Sequence, residues 1–380
     1  LTVRTVVAIL PRNHRNEEST IMKVGLIGLP KSGKTTIFNA LSRQTAEVSA
    51  YTGGKQEPNL AVIDVEDERV ERLSEMYRPR KTIHATVDLV DFVGVTTGSA
   101  RTGLFAPAAL SLVKQSDALA VVLRNFADPV LDETFGPANP TSDAETVISE
   151  LVLADLVVAE RRIEHIEADT KRGKQTPANQ AEERLLRRIV AALEEGALVQ
   201  SLDLTEDEAK IIQGFQFFTQ KPLLGVLNSG EDRYGASTDT VDALEARMPC
   251  VEFSGNFEME LAQMDEEDAR SFMEDVGIQG SARERLTRAC YELLGYISFF
   301  TVGEDEVRAW TVRRDASAVE AAGAIHSDLA RGFIRAECFT YDDLMELGSE
   351  KAVKERGRLR LEGKGYTVRD GDILHIRFSV

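Results

Sequence analysis

MKVGLIGLPKSGKTTIFNAL, residues 22–41, reads in order as a buried strand, a glycine loop and an amphipathic helix. Val24, Leu26 and Ile27 make the strand, and Ile37, Phe38 and Leu41 recur at helical spacing. Between them Gly28, Gly33, Lys34 and Thr35 satisfy G-x-x-x-x-G-K-[ST], a pattern that needs this strand before it and this helix after it. Glycines let the backbone curl so that its N–H groups face phosphate oxygens, and the helix N-terminus adds its positive end. The expected phosphate cradle is Pro30, Lys31, Ser32, Gly33, Lys34, Thr35 and Thr36. Lys34 would reach the β- and γ-phosphates as a catalytic cation, and the Thr35 hydroxyl would ligate Mg²⁺.

The bulk properties set bounds around that site. At 380 residues the chain is long for one core, and 43% hydrophobic with 28% charged residues describes a globular protein. A net charge of −18 argues against a general nucleic-acid-coating protein, though a local basic patch stays open. No run approaches the ~18 apolar residues of a membrane-spanning helix, so no membrane partner is expected. Cys250, Cys290 and Cys338 are scattered without C-x-x-C spacing. They support neither a zinc site nor a disulfide framework, and they fit a reducing, cytoplasmic compartment. Residues 1–21 are basic, with an apolar part (Val6–Leu10) too short for a signal peptide. They are expected to be a disordered extension upstream of Met22, or an expression remnant.

Along the chain, Gln44–Gln56 has the composition of a mobile loop, Leu60–Val65 of a strand and Glu66–Tyr77 of an amphipathic helix. A second strand, His84–Phe92, ends in Asp91-Phe92-Val93-Gly94. This D-x-x-G would let Asp91 hold the metal through water and the Gly94 N–H meet the γ-phosphate. Leu119–Leu123 is the apolar run of a central parallel strand, and Pro129–Asp143 reads as a Pro/Gly/Asn loop. About sixty residues of helical pattern follow, turning at Lys171–Asn179, which is either a solvated tip or a contact surface. Pro222–Leu227 and Met248–Phe253 are strands that deliver Asn228-Ser229-Gly230-Glu231 and Ser254-Gly255. Strands alternating with helices predict an α/β parallel sheet with its ligand at the C-terminal strand ends, where every candidate residue falls. From Phe299 the pattern changes to an α+β tail carrying 13 basic and 15 acidic residues, so the rest of the chain holds −16 of the −18.

The order G-L-P-x-x-G-K-T, E-P-N (Glu57–Asn59), D-F-V-G, N-x-x-E and R-A-W-T-V (Arg308–Val312) resembles the YchF / Obg-like ATPase family. F-I-R-A-E (Phe333–Glu337), R-L-E-G-K (Arg360–Lys364) and D-G-D (Asp370–Asp372) extend the resemblance from Met22 to Val380. It implies a Ras-like P-loop domain (22–140 plus 200–298), a helical coiled-coil arm (141–199) and a C-terminal ubiquitin-like β-grasp (TGS) domain (299–380). It also implies a protein that prefers ATP to GTP and associates with the ribosome; the expected partners are ATP, ADP and the ribosome or structured RNA, and the expected state is a monomer. A protein-binding adaptor role for the tail stays open.

The base preference also has a physical basis in these residues. Guanine specificity uses N-K-x-D, whose Asp accepts two guanine donors; here Ser229 replaces the Lys and Glu231 the Asp. A site that leaves guanine's donors unpaired loses its reason to favour guanine. Adenine's N6 donor would be accepted by Asn228 or backbone carbonyls, and Phe126 is either a base-packing ring or a core aromatic.

Four departures bear on turnover. Lys31 stands where family members carry Asn, Lys55 where a switch Thr is expected (Thr52 is near), Val95 where Ras-like proteins place a water-orienting Gln, and Leu112 where some members have His. Slow hydrolysis is expected; an Obg-class GTPase and a nucleotide-gated binding protein without significant hydrolysis remain the alternatives. With Lys31 standing in for a monovalent cation, any hydrolysis should be indifferent to potassium. Rates compared in potassium and sodium chloride test this, and strong potassium stimulation contradicts it.

Overall fold

The computed structural model describes residues 22–42, 58–92, 95, 98, 107–261, 263–264, 268–269, 271–273 and 280–379. The extension 1–21, the Gln44–Gln56 segment with Thr52 and Lys55, and Glu57 and Gly94 lie outside the described residues. The chain divides into two compact units: the described residues of Lys23–Ala61 and Leu89–Ala282 form one, and those of Val62–Asp88 and Arg283–Val380 the other.

The first sheet is built from β1 (Met22–Ile27), β2 (Asn59–Asp64), β4 (Thr86–Asp91), β5 (Ala118–Asn125), β6 (Leu223–Ser229) and β7 (Cys250–Phe253), in the order β2-β4-β1-β5-β6-β7. β1 pairs parallel with β5, β5 with β6, and β6 with β7. Every residue of β5 and β6 is buried, as expected of central strands covered on both faces. The core beneath joins Ile27, Phe92, Leu119, Val121 and Leu227 to Val147 and Leu151 of the long helix. Helices α1 (Lys34–Ser42), α3 (Pro107–Gln115), α8 (Thr238–Glu245) and α9 (Gly255–Leu261) follow strands or loops of this sheet.

The segment read as a loop, Pro129–Asp143, instead holds α4 (Pro129–Phe135) and the start of α5 (Pro140–Lys171). Its prolines are helix starters: Asp128 and Asn139 cap the helices through their side chains, and each Pro takes a first-turn position where its missing N–H costs nothing. At 1.5 Å per residue, the 32 residues of α5 extend to roughly 48 Å. It pairs with α6 (Pro177–Glu194) as the expected helical hairpin. Ile163 and Ile166 meet Leu185, Leu186, Ile189 and Leu193, and α7 (Glu206–Ile212) adds Ile212. A bidentate Arg162–Glu182 pair at 2.8 Å ties the two long helices together across their partly exposed edge.

The second sheet has the order β11-β10-β12-β8-β9-β3, built from β8 (Tyr296–Thr301), β9 (Glu306–Arg313), β10 (Phe333–Thr340), β11 (Arg360–Glu362), β12 (Asp372–Phe378) and β3 (Lys81–Ile83). The antiparallel β8–β9 hairpin, the parallel β12–β8 neighbours and the helix α11 (Ala318–Ile325) packed beneath make the β-grasp arrangement. The expected boundary at 299 falls within β8, and α10 (Ala282–Leu294) precedes it. The motifs of this region have structural roles. Trp310 is nearly buried, donates to Thr301 Oγ1 at 3.0 Å and lies under the Arg308 guanidinium. Asp372 is fully buried and accepts from the Tyr366 hydroxyl at 2.8 Å and the Arg369 N–H at 2.9 Å. Asp370 accepts the Ser298 N–H at 2.9 Å and pairs with Arg69 of α2 (Glu68–Tyr77) at 2.7 Å. Burial pushes the Cys290 thiol up to about 12, so it is inert at neutral pH.

One buried carboxylate couples α5 to the Phe218–Gln220 turn that leads into β6. Asp155, 1% exposed, accepts the N–H groups of Phe218 and Thr219 at 2.9 and 2.8 Å and the Thr219 hydroxyl at 2.7 Å. Burial pushes its pKa up from 3.8 to about 6 against those bonds. A carboxyl that titrates higher folded than unfolded contributes most below about pH 4 and loses that contribution as pH rises through 6. Asp155→Asn lacks the titration. The unfolding free energy of wild type minus that of the variant, from urea melts, should therefore fall by up to about 3 kcal/mol between pH 4 and pH 7. A pH-independent difference contradicts this.

Candidate functional site

Two glycines of the phosphate loop are required by what stands against them. A Cβ at Gly28 would lie 2.4 Å from the Val122 carbonyl oxygen, and one at Gly33 would lie 2.0 Å from Asn228 Nδ2. Both also hold positive φ, 151° and 91°. Lys31 adopts φ 64° between them, a left-handed conformation that costs a residue with a Cβ about 1–2 kcal/mol. Pro30 and Lys31 are half-buried at the bend; Ser32 is buried, with its Oγ unpartnered among the described residues.

The Lys34 ammonium donates to the carbonyls of Gly28 at 3.2 Å and Leu29 at 2.9 Å. Burial lowers its pKa to about 8, against the pull of Asp91, which raises it. Thr35 Oγ1 donates to Asp91 Oδ2 at 2.8 Å, and Asn59 Nδ2 reaches the same oxygen at 3.2 Å. Asp91 Oδ1 is buried without a partner among the described residues, and burial raises the pKa of this carboxyl. The start of α1 thus faces a carboxylate with one oxygen engaged and one free. Asn59 closes the E-P-N motif, to which the sequence reading gave no role at the site. Its partner is 32 positions away, and only the β2–β4 pairing brings it in.

At the ends of β6 and β7, Asn228 is 4% exposed, with both its amide nitrogen and its amide oxygen engaged. Its Nδ2 donates to the Ser32 carbonyl at 3.1 Å, and its Oδ1 accepts the Gly255 N–H at 3.0 Å. Ser254 is buried, and its carbonyl accepts the Glu258 N–H at 2.9 Å as α9 begins. A Cβ at Gly255 would lie 3.0 Å from both Asn228 Oδ1 and Thr36 Cγ2. Phe126 is half-buried rather than a core ring: a Cβ at Gly33 would lie 3.7 Å from its Cε1, and one at Gly230 would lie 3.3 Å from its Cβ. Glu231 is exposed. Val95 is buried and donates its N–H to the Gly28 carbonyl at 2.9 Å, while Leu112 packs against the core. Among the described residues no group of three or more His, Cys, Asp or Glu side chains is placed to hold a metal, and no helix is long and apolar enough to cross a membrane.

A glycine loop after the first strand of a sheet whose β1, β5, β6 and β7 run parallel, a Lys and Thr opening the next helix, and an Asn linking that loop to the neighbouring strand ends define an α/β P-loop nucleotide-binding protein of the GTPase fold. Residues 23–161 match a family model described as a 50S ribosome-binding GTPase, and residues 296–379 match the YchF GTPase C-terminal model, described as a protein of unknown function. The chain is 35% identical over 366 residues to the ribosome-binding ATPase YchF of Bacillus subtilis (strain 168), covering 94% of this chain and all of the relative. It is 36% identical to the protein of that name from Haemophilus ducreyi, over 94% and 99% of the two chains. The solved structure of the Schizosaccharomyces pombe YchF GTPase superposes with a TM-score of 0.78 at 28% identity, covering 93% and 97%. The chain belongs to the YchF family.

Asn228→Ala would remove both bonds that join the phosphate loop to the β7–α9 turn. Two buried hydrogen bonds at about 1 kcal/mol each predict a ~30-fold loss of ADP affinity by calorimetric titration. A loss of less than about threefold would show that the loop holds its shape without them.

Proposed function

We propose that the chain is a slow ATP hydrolase that works as a nucleotide-dependent switch at the ribosome, in the cytoplasm. The observation that carries this reading is the base loop. Asn228 is kept and committed to the phosphate loop, while Ser229 and Glu231 stand where a guanine site needs Lys and Asp. The relatives named ribosome-binding ATPases support both the nucleotide and the partner.

In this reading the N–H groups of residues 31–36 cradle the phosphates, and Lys34 turns from the loop carbonyls to the β- and γ-phosphates. Phe126 packs on the base, whose polar edge meets Asn228, Ser229, Glu231 and the Ser254–Gly255 backbone. Thr35 and Asp91 would hold Mg²⁺, and the free, buried Asp91 Oδ1 fits that role. The ion would supply neutralisation of phosphate charge. One carboxylate and one hydroxyl suit a metal that keeps water and phosphate ligands. The Gly94 N–H is assigned to the γ-phosphate. The helical arm and the β-grasp domain are the partner-facing parts.

A second reading, nucleotide-gated binding without meaningful hydrolysis, is favoured by Val95 and Leu112, since both positions are apolar and packed. Product analysis in Mg²⁺-ATP decides between the two. The first expects slow ADP release that Lys34→Ala abolishes, and the second expects none from either protein. Calorimetry with ATP and GTP tests the base. Wild type should prefer ATP by about tenfold or more, and Glu231→Asp should narrow the gap. A wild-type preference for GTP overturns the ATP reading.

A further inference from the structure

Ser229 and Asn125 stand opposite each other in the β5–β6 register at the strand ends that face the nucleotide site. Asn125 Nδ2 donates to Ser229 Oγ and to Ser237 Oγ, both at 2.8 Å, and the Asn125 carbonyl accepts the Gly230 N–H at 3.2 Å. The Ser229 hydroxyl donates in turn to Glu252 Oε1, at the end of β7. The second oxygen of Glu252 accepts the Gly235 N–H at 3.1 Å. One carboxylate therefore grips both ends of the 229–235 loop, which carries Glu231. The tight turn between is closed by the Arg233 and Tyr234 N–H groups, both donating to the Gly230 carbonyl at 2.9 Å. Ser229 is 2% exposed, and its hydroxyl both donates and accepts within this network.

We infer that Glu252 is a positioning residue for nucleobase choice: it holds Ser229 inward and fixes the 229–235 loop in an arrangement that does not admit a guanine-recognising lysine. The inference rests on the proposed assignment of this loop to the base. A lysine at 229 would begin from a buried Cβ aimed at a carboxylate, and the ion pair it forms there would draw the ammonium away from the base. The replacements at 229 and 231 are then insufficient to specify guanine while Glu252 is present. A Gln at 252 can still accept the Gly235 N–H through its oxygen, but it presents its NH₂ to Ser229 Oγ, so the hydroxyl loses the acceptor that holds its proton inward.

The test is ADP and GDP affinity, by calorimetry, for wild type, Ser229→Lys, Glu252→Gln and the double variant, with thermal melts as a folding control. Ser229→Lys alone should leave GDP affinity within about twofold of wild type, whereas adding Glu252→Gln should raise it about tenfold or more. Glu252→Gln alone should lower the ADP-to-GDP preference about fivefold, which a purely structural role, weakening both ligands equally, would not do. Additive effects at 229 and 252, or an unchanged preference in Glu252→Gln, overturn the inference. Should Glu252→Gln fail to fold, Ser229→Ala breaks the same bond from the other side and must lower the preference likewise. A wild-type preference for GDP would refute the ATP reading, while the coupling between 229 and 252 would still report on Glu252.

Discussion

The nucleotide site depends on the two hydrogen bonds of one buried amide. Asn228 gives its N–H to the phosphate loop and takes one from the β7–α9 turn, so three segments far apart in sequence share one side chain. The strict demand for glycine at 33 follows from it, because the amide nitrogen occupies the space a Cβ would need. The loop's shape is thus set by packing from β6 as much as by its own backbone. This explains why Lys31 can be held in a left-handed conformation that its side chain disfavours. Strain in the loop is tolerated because the surrounding contacts fix it.

The second unit is organised by carboxylates in a comparable way. Asp370 and Asp372 flank Gly371, whose φ of 84° makes the turn. One acid pins the start of β8, and the other gathers Tyr366, Arg360 and the Arg369 N–H. Arg69 stacks 5.0 Å from the Phe300 ring centroid while it pairs with Asp370, and Tyr77 of the same helix donates to Glu350 at 2.6 Å. Residues 62–88, which take in the end of β2 and the start of β4 with everything between, therefore pack as part of the C-terminal unit.

The phosphate loop was legible because its chemistry is local: the glycines, Lys34 and Thr35 lie within eight residues, between a strand and a helix whose periodicities are clear. The α5–α6 hairpin was legible for the same reason, since a long apolar stripe needs a partner and Lys171–Asn179 supplies the turn. What escaped was set by distant partners. β3 is three residues long and becomes a strand only against β9, more than 220 positions away. Glu252 has an ordinary strand-end context, and nothing near it announces Ser229 or Gly235. Pro129 and Pro140 misled in the opposite direction, because proline marks helix starts as well as loops, and only the capping Asp128 and Asn139 separate the two cases.

Slow turnover fits how the site's groups are employed. Val95, after the D-x-x-G, anchors its backbone to Gly28 and buries its side chain in the core, so it has no polar group to orient water. Leu112 is likewise spent on packing. What the described residues offer to the proposed site is a buried Lys and one free carboxylate oxygen beside a threonine hydroxyl. Tight binding of substrate that is not strengthened in the transition state does not accelerate chemistry. A site so weighted toward holding the nucleotide suits a protein whose bound state is its output, with hydrolysis as the slow reset.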